Sequence, residues 1–144
     1  ADWERAREIK FAQGFVSPAP RDFVGTAPLT EPESIGIYDF TREHNFRRIL
    51  AYHTQGEIIF WKYLNFMPED AEKIANEFVR VSGYELINEM ETNSFAGYRD
   101  WFISYYNRPG YTIETGRGVN PLPISQFEKI YNDNLGILVL GAIL

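Results

Sequence analysis

Apolar positions along the chain fall into short segments with two different periods. Arg48-Ile-Leu-Ala-Tyr-His53 is a brief apolar run of the kind that forms a strand covered on both faces, as central parallel strands are. Gln55-Gly56 breaks it, and Glu57-Ile-Ile-Phe-Trp-Lys-Tyr63 follows as a second strand, rich in β-branched and aromatic residues. Residues 68–82 switch to the helical period. Ala71, Ile74, Ala75, Phe78 and Val79 share one face, Glu69 and Asp70 suit a first turn, and Gly83 suits a C-cap. A loop runs on through residues 91–94. Tyr98, Trp101, Phe102 and Tyr105 then mark a second amphipathic helix, ended by Pro109-Gly110. Residues 111–115 read as a short strand, Asn120-Pro-Leu-Pro as a turn, and residues 124–144 as a final helix. Upstream, Pro32-Glu33 opens a helix capped by Thr30 or Glu31, with Ile37, Phe40 and His44 on one face. Residues 1–32 carry no period. Their Pro- and Gly-rich part, residues 15–33, reads as an ordered surface loop anchored by Phe15, Phe23 and Leu29.

Strands alternating with helices predict an α/β domain, a three-layer α/β/α arrangement on a mostly parallel or mixed sheet. With 144 residues the chain forms a single unit. Lys and Arg number 14 against 20 Asp and Glu, a net charge of -6. That balance argues against a nucleic-acid partner, which needs a clustered basic surface. There is no cysteine, so disulfides, thiolate metal sites and cysteine nucleophiles are excluded. The longest apolar run, residues 137–144, is far short of a membrane span. No Gly-x-Ser-x-Gly elbow, Walker loop or Gly-x-Gly-x-x-Gly occurs.

Two polar residues end otherwise apolar strands: His53 and Glu114. In layered α/β sheets the chemistry gathers at the carboxyl ends of strands. His53 is there either a metal ligand or base, or a core histidine satisfied by backbone groups. Glu114 is either a general base, its pKa raised by burial, or half of an ion pair with a buried arginine. His44 lies in the charged run Arg42-Glu43-His44 and reads as solvated. A catalytic zinc needs three protein ligands, and two histidines do not complete such a site.

Taken in order, several segments resemble the C-terminal half of the carboxypeptidase A-like zinc peptidases. Within that family the likeness leans to the bacterial γ-D-glutamyl-L-diamino acid endopeptidases of peptidoglycan turnover. It rests on Ile49-Leu-Ala-Tyr-His-Thr-Gln-Gly-Glu57, Gly97-Tyr-Arg-Asp-Trp101, Tyr111-Thr-Ile-Glu-Thr-Gly116 and Asn120-Pro-Leu-Pro-Ile-Ser-Gln-Phe127. The early Pro20-Arg-Asp-Phe-Val-Gly25 loop and Thr30-Glu-Pro-Glu33 add to it. The resemblance implies that His53 is the family's third zinc ligand and Glu114 its general base. It implies that Asp100-Trp101 lines the specificity pocket, where Asp100 senses a substrate side chain or is simply a helix-surface carboxylate. The family's tyrosine falls near Thr92, and Tyr98 stands close by as its replacement. Glu57, Asp100 and Arg117 are candidates for holding the charged groups of a murein peptide substrate. The remaining zinc ligands, a His-x-x-Glu pair, would lie upstream of residue 1. Residues 1–144 are therefore expected to be the C-terminal part of the catalytic domain, partnered by the N-terminal part of the same polypeptide and inactive without it. An ordinary zinc carboxypeptidase and a non-catalytic module holding cell-wall fragments through its aromatics are the alternatives.

Overall fold

In the computed structural model, which describes residues 2–88 and 95–144, four short strands form one mixed sheet with helices on both faces. Strands β1 (Ile49–His53), β2 (Ile58–Phe60), β3 (Glu85–Ile87) and β4 (Gly110–Glu114) lie in the order β1-β4-β2-β3. β1 runs parallel to β4 and β2 parallel to β3, while β2 and β4 are antiparallel. The α/β class expected from the alternation is the one observed.

Side chains alternate across a sheet, so the register sorts the residues into two sets. Leu50 stands beside Tyr111, and Ile59 beside Ile113. This face packs under α3 (Ala71–Ser82) and α5 (Phe127–Ile143), through Ile74, Ala75, Phe78 and Ile137. The helical stripe of residues 71–79 is what this face required, and the buried Tyr111 hydroxyl is satisfied by donating to the Ala71 carbonyl at 2.9 Å. On the opposite face Gly110 lets α4 (Tyr98–Tyr106) approach closely. A Cβ there would sit 3.2 Å from Ile103 Cγ1 and 3.5 Å from Arg99 Cγ. Ile103 joins Tyr63, Phe95 and Ala6 of α1 (Trp3–Ala12) in a second, smaller core. The helix α2 (Pro32–Glu43) reaches α4 through a 2.9 Å hydrogen bond between the hydroxyls of Thr41 and Tyr98.

Several elements depart from the pattern-based expectation. Residues 3–12, expected to be irregular, form α1. Its start is set by Asp2, whose carboxylate accepts the Arg5 N–H at 3.0 Å, and its buried face is Ala6 alone, which leaves almost no stripe to detect. β3 was not expected; its three residues form a partial edge to β2. α3 starts at Ala71 because Asp70 sits in the left-handed region at φ 60°. α4 ends on Asn107, also left-handed, ahead of Pro109-Gly110. A 3-10 turn (Ile124–Gln126) precedes α5. β1, expected to be covered on both faces, borders the sheet among the described residues, and its Tyr52 and His53 are exposed. The face of α2 carrying Ile37 and Phe40 is largely open to solvent. Phe15 and Phe23 are half-buried under the loop after α1, whereas Leu29 is exposed. Trp3 ties that loop down by donating to the Val24 carbonyl at 3.0 Å. The loop expected through residues 91–94 lies outside the described residues, as does Thr92.

Candidate functional site

His53 and Glu114 are direct register partners at the carboxyl ends of the parallel strands β1 and β4. Partners in a ladder project to the same face, so two residues far apart in sequence share one rim. The rim is fastened by the next residue: the His53 carbonyl accepts the Thr115 N–H at 2.9 Å and the Thr115 hydroxyl at 3.1 Å. Beyond it the Gly56 N–H donates to the Gly116 carbonyl at 2.8 Å. Gly116 has φ +70°, and a Cβ on it would meet Leu122 Cδ1 at 2.5 Å and Ile130 Cδ1 at 2.8 Å, so the turn leaving β4 admits only glycine.

His53 and Glu114 open onto a cavity of about 260 Å³. The sheet supplies one wall through Ala51, Phe60 and Thr112; the first turn of α4 supplies the other through Tyr98, Arg99 and Asp100. Arg99 and Asp100 are a buried ion pair, 5% and 1% exposed. Asp100 Oδ1 accepts Arg99 Nε at 3.1 Å and Nη2 at 2.7 Å, and Oδ2 accepts the Gly97 N–H at 3.2 Å. The carboxylate that the sequence offered as a substrate reader thus holds the start of α4 and the head of its neighbour. Tyr98 lines the cavity, and its hydroxyl is hydrogen-bonded with that of Thr41.

Glu57 and Arg117 lie outside that cavity lining. Arg117 Nε donates to Glu57 Oε2 at 2.7 Å and Lys129 Nζ to Oε1 at 2.9 Å. Lys129 also binds Asp133 one turn along α5. The Lys129 hydrogen bond, opposed by partial burial and aided by Arg117, holds the Glu57 carboxyl below the usual carboxylate range. Asp133 and Glu57 together raise the Lys129 ammonium above its ordinary value. The cluster joins the loop after His53, the loop after Glu114 and α5. His44 caps the end of α2, its Nδ1 2.8 Å from the Phe40 carbonyl oxygen, and takes no part in the cavity. A second, larger hollow of about 490 Å³ shares Gly97 and Tyr98 with the first and is walled by Trp3, Tyr38 and Trp101.

Among the described residues no group of three or more His, Cys, Asp or Glu is gathered so as to hold a metal ion. His53 offers one exposed imidazole on the rim, the donor type that zinc favours. Sequence reasoning missed Arg99 and Thr115. Arg99 breaks the amphipathic pattern of α4 by burying a cation, and that signal was open to reading only once the helix had a face.

These strands and helices define a carboxypeptidase-like α/β fold. Carboxypeptidase A from Helicoverpa armigera superposes with a TM-score of 0.67 at 17% identity, over 88% of this chain and 38% of that one. Thrombin-activatable fibrinolysis inhibitor does so at 0.67 and 21%, over 83% and 35%. By sequence the chain is related to γ-D-glutamyl-L-diamino acid endopeptidase 1 of Lysinibacillus sphaericus, with 50% identity over 134 residues. The uncharacterized protein YqgT of Bacillus subtilis (strain 168) is 48% identical over 131 residues. These two matches take in 93% and 91% of this chain but 33% and 35% of the relatives, so the chain spans about a third of their length. No family model matches the sequence. No helix among the described residues is long and apolar enough to cross a membrane.

Proposed function

We propose that this chain supplies part of the catalytic centre of a zinc metallopeptidase that cleaves the γ-D-glutamyl–diamino acid bond of peptidoglycan peptides. The observation that carries the reading is the pairing of His53 with Glu114 at the ends of two parallel strands, facing one cavity. His53 would be one zinc ligand; the others would come from a His-x-x-Glu pair upstream. Bound there, zinc polarises the scissile carbonyl and acidifies water. Glu114 takes the proton of the attacking water and returns it to the leaving nitrogen. Tyr98 and the Arg99–Asp100 pair form the wall that the substrate meets. Glu57 and Arg117 act on the substrate through the loops they brace.

The test is Glu114→Gln in the protein that includes the upstream residues. Turnover of a γ-D-glutamyl-diamino acid peptide should fall by about 10²- to 10⁴-fold, as for loss of a general base. Zinc content should stay at one ion per molecule. Near-normal turnover in this variant would remove the base assignment. Peptides blocked at the C-terminus separate the endopeptidase from an ordinary carboxypeptidase, which leaves them intact. A cell-wall-fragment binding module draws its support from the aromatic hollow beside Tyr98; binding by the unaltered protein without any turnover would select it.

A further inference from the structure

The turn that leaves β4 bends at Gly116, two residues past Glu114, and is held by groups from elsewhere in the chain. Gly116 is buried, so its N–H and its carbonyl both need partners. The carbonyl accepts the Gly56 N–H, and the N–H donates to the hydroxyl of Tyr84. Tyr84 is 2% exposed, packed under the sheet just after the left-handed Gly83 that ends α3. Its own N–H donates to Ser82 Oγ at 3.1 Å, and the next N–H, that of Glu85, donates to the Glu57 carbonyl at 2.9 Å. From α5 the buried Asn134 donates Nδ2 to the Tyr84 hydroxyl and to the Ile130 carbonyl, both at 2.8 Å. Burial pushes the Tyr84 pKa up, and Asp133 and Glu57 add to this against the two N–H donors, so the hydroxyl stays neutral and accepts both. Buried polar atoms cost free energy unless bonded. A phenylalanine and a leucine would fill nearly the same space, so the polar atoms serve the turn and not the packing.

Resting on the peptidase reading, we infer that Tyr84 is a positioning residue for the general base: its hydroxyl, set by Asn134, fixes the direction in which β4 presents Glu114. The ladder between β1 and β4 ends at the pair His53–Glu114. Past that pair the strand end keeps its course only through the contacts of Thr115 and Gly116. Without the Tyr84 oxygen the Gly116 N–H is a buried donor with no acceptor, and the turn shifts to find one. Glu114 is carried with it. The cavity walls supplied by α4 stay in place, and Thr115 still holds the His53 carbonyl through its hydroxyl. Tyr84 itself does not line the cavity, so it acts on the reaction through Glu114. Proton transfer from water is the step that suffers, while binding of substrate and zinc is kept.

The test is Tyr84→Phe, which removes one oxygen and keeps the ring, in the protein that includes the upstream residues. On a γ-D-glutamyl-diamino acid peptide kcat should fall by about 10- to 10²-fold, as for a misplaced catalytic group. KM should stay within about twofold and zinc at one ion per molecule, because neither substrate nor metal is held by Tyr84. Asn134→Leu should give a similar loss. The double variant should lose no more than the worse single one, since both changes cut the same link. An unchanged kcat with a lower melting temperature makes Tyr84 a packing residue only and overturns the inference. So does a loss that falls on KM or on zinc content, and so do losses that multiply in the double variant. If the unaltered protein cleaves no γ-D-glutamyl substrate, the peptidase reading falls by itself. Tyr84 is then judged by hydrogen exchange, which needs no turnover. In Tyr84→Phe the peptide spanning residues 114–118 should exchange at least about tenfold faster, as for a locally opened turn, and unchanged exchange there ends the inference.

Discussion

At the scale of single residues, the site depends on how each polar group is held. Thr115 binds the His53 carbonyl twice, through its N–H and its hydroxyl. That fixes the backbone on which the imidazole rides, whatever the ring itself contacts. Asp100 and Arg99 are both removed from water, where an ion pair adds little net stability but the loss of one partner leaves an uncompensated charge. Asp100→Asn should therefore lower unfolding free energy by about 3–5 kcal/mol. Urea denaturation should record this as a lower midpoint at an unchanged slope.

At the scale of elements, the loops after β1 and β4 behave as one body, because Glu57, Arg117 and Lys129 join them to α5. Both cations are largely exposed, so solvent screens the pairs, and Glu57→Gln should cost about 1 kcal/mol. The folded-state pKa of Glu57 is depressed, so its contribution is present above the unfolded carboxylate value and disappears as pH falls through the folded one. Melting curves of the native chain and Glu57→Gln should differ at pH 7 and converge in strong acid; a gap that persists there would show that the charge is not the cause. Gly116→Ala combines a left-handed backbone with a collision against Leu122 and Ile130. It should destabilise by about 1–3 kcal/mol and should also disturb the rim that Thr115 fastens.

At the scale of the whole molecule, two surfaces stand open together. β1 borders the sheet among the described residues, and α5 exposes Phe127, Tyr131, Leu135, Leu138 and Val139. Unpaired strand edges and contiguous apolar faces drive association. The 144-residue chain by itself should therefore form dimers or larger species in sedimentation experiments. Adding the upstream polypeptide should convert these to a single stoichiometric complex. A stable monomer of this chain alone would count against the expectation that another part of the polypeptide covers these surfaces.

The sequence by itself determined the α/β class, the stripe of α3, and the fact that two apolar strands end in a histidine and a glutamate. Those features are local: burial imposes its period directly on neighbouring residues. It did not reveal α1, whose buried face is one alanine, or β3, whose three residues have no meaning without β2 beside them. Only the tertiary structure decided that β1 and β4 pair in parallel and in the register that sets His53 beside Glu114. It alone turned the Asp100 carboxylate onto Arg99 and Gly97, which sets this ion pair in the wall of the cavity. Register and side-chain pairing depend on contacts between segments far apart in the chain, and no pattern within either segment encodes the other's position.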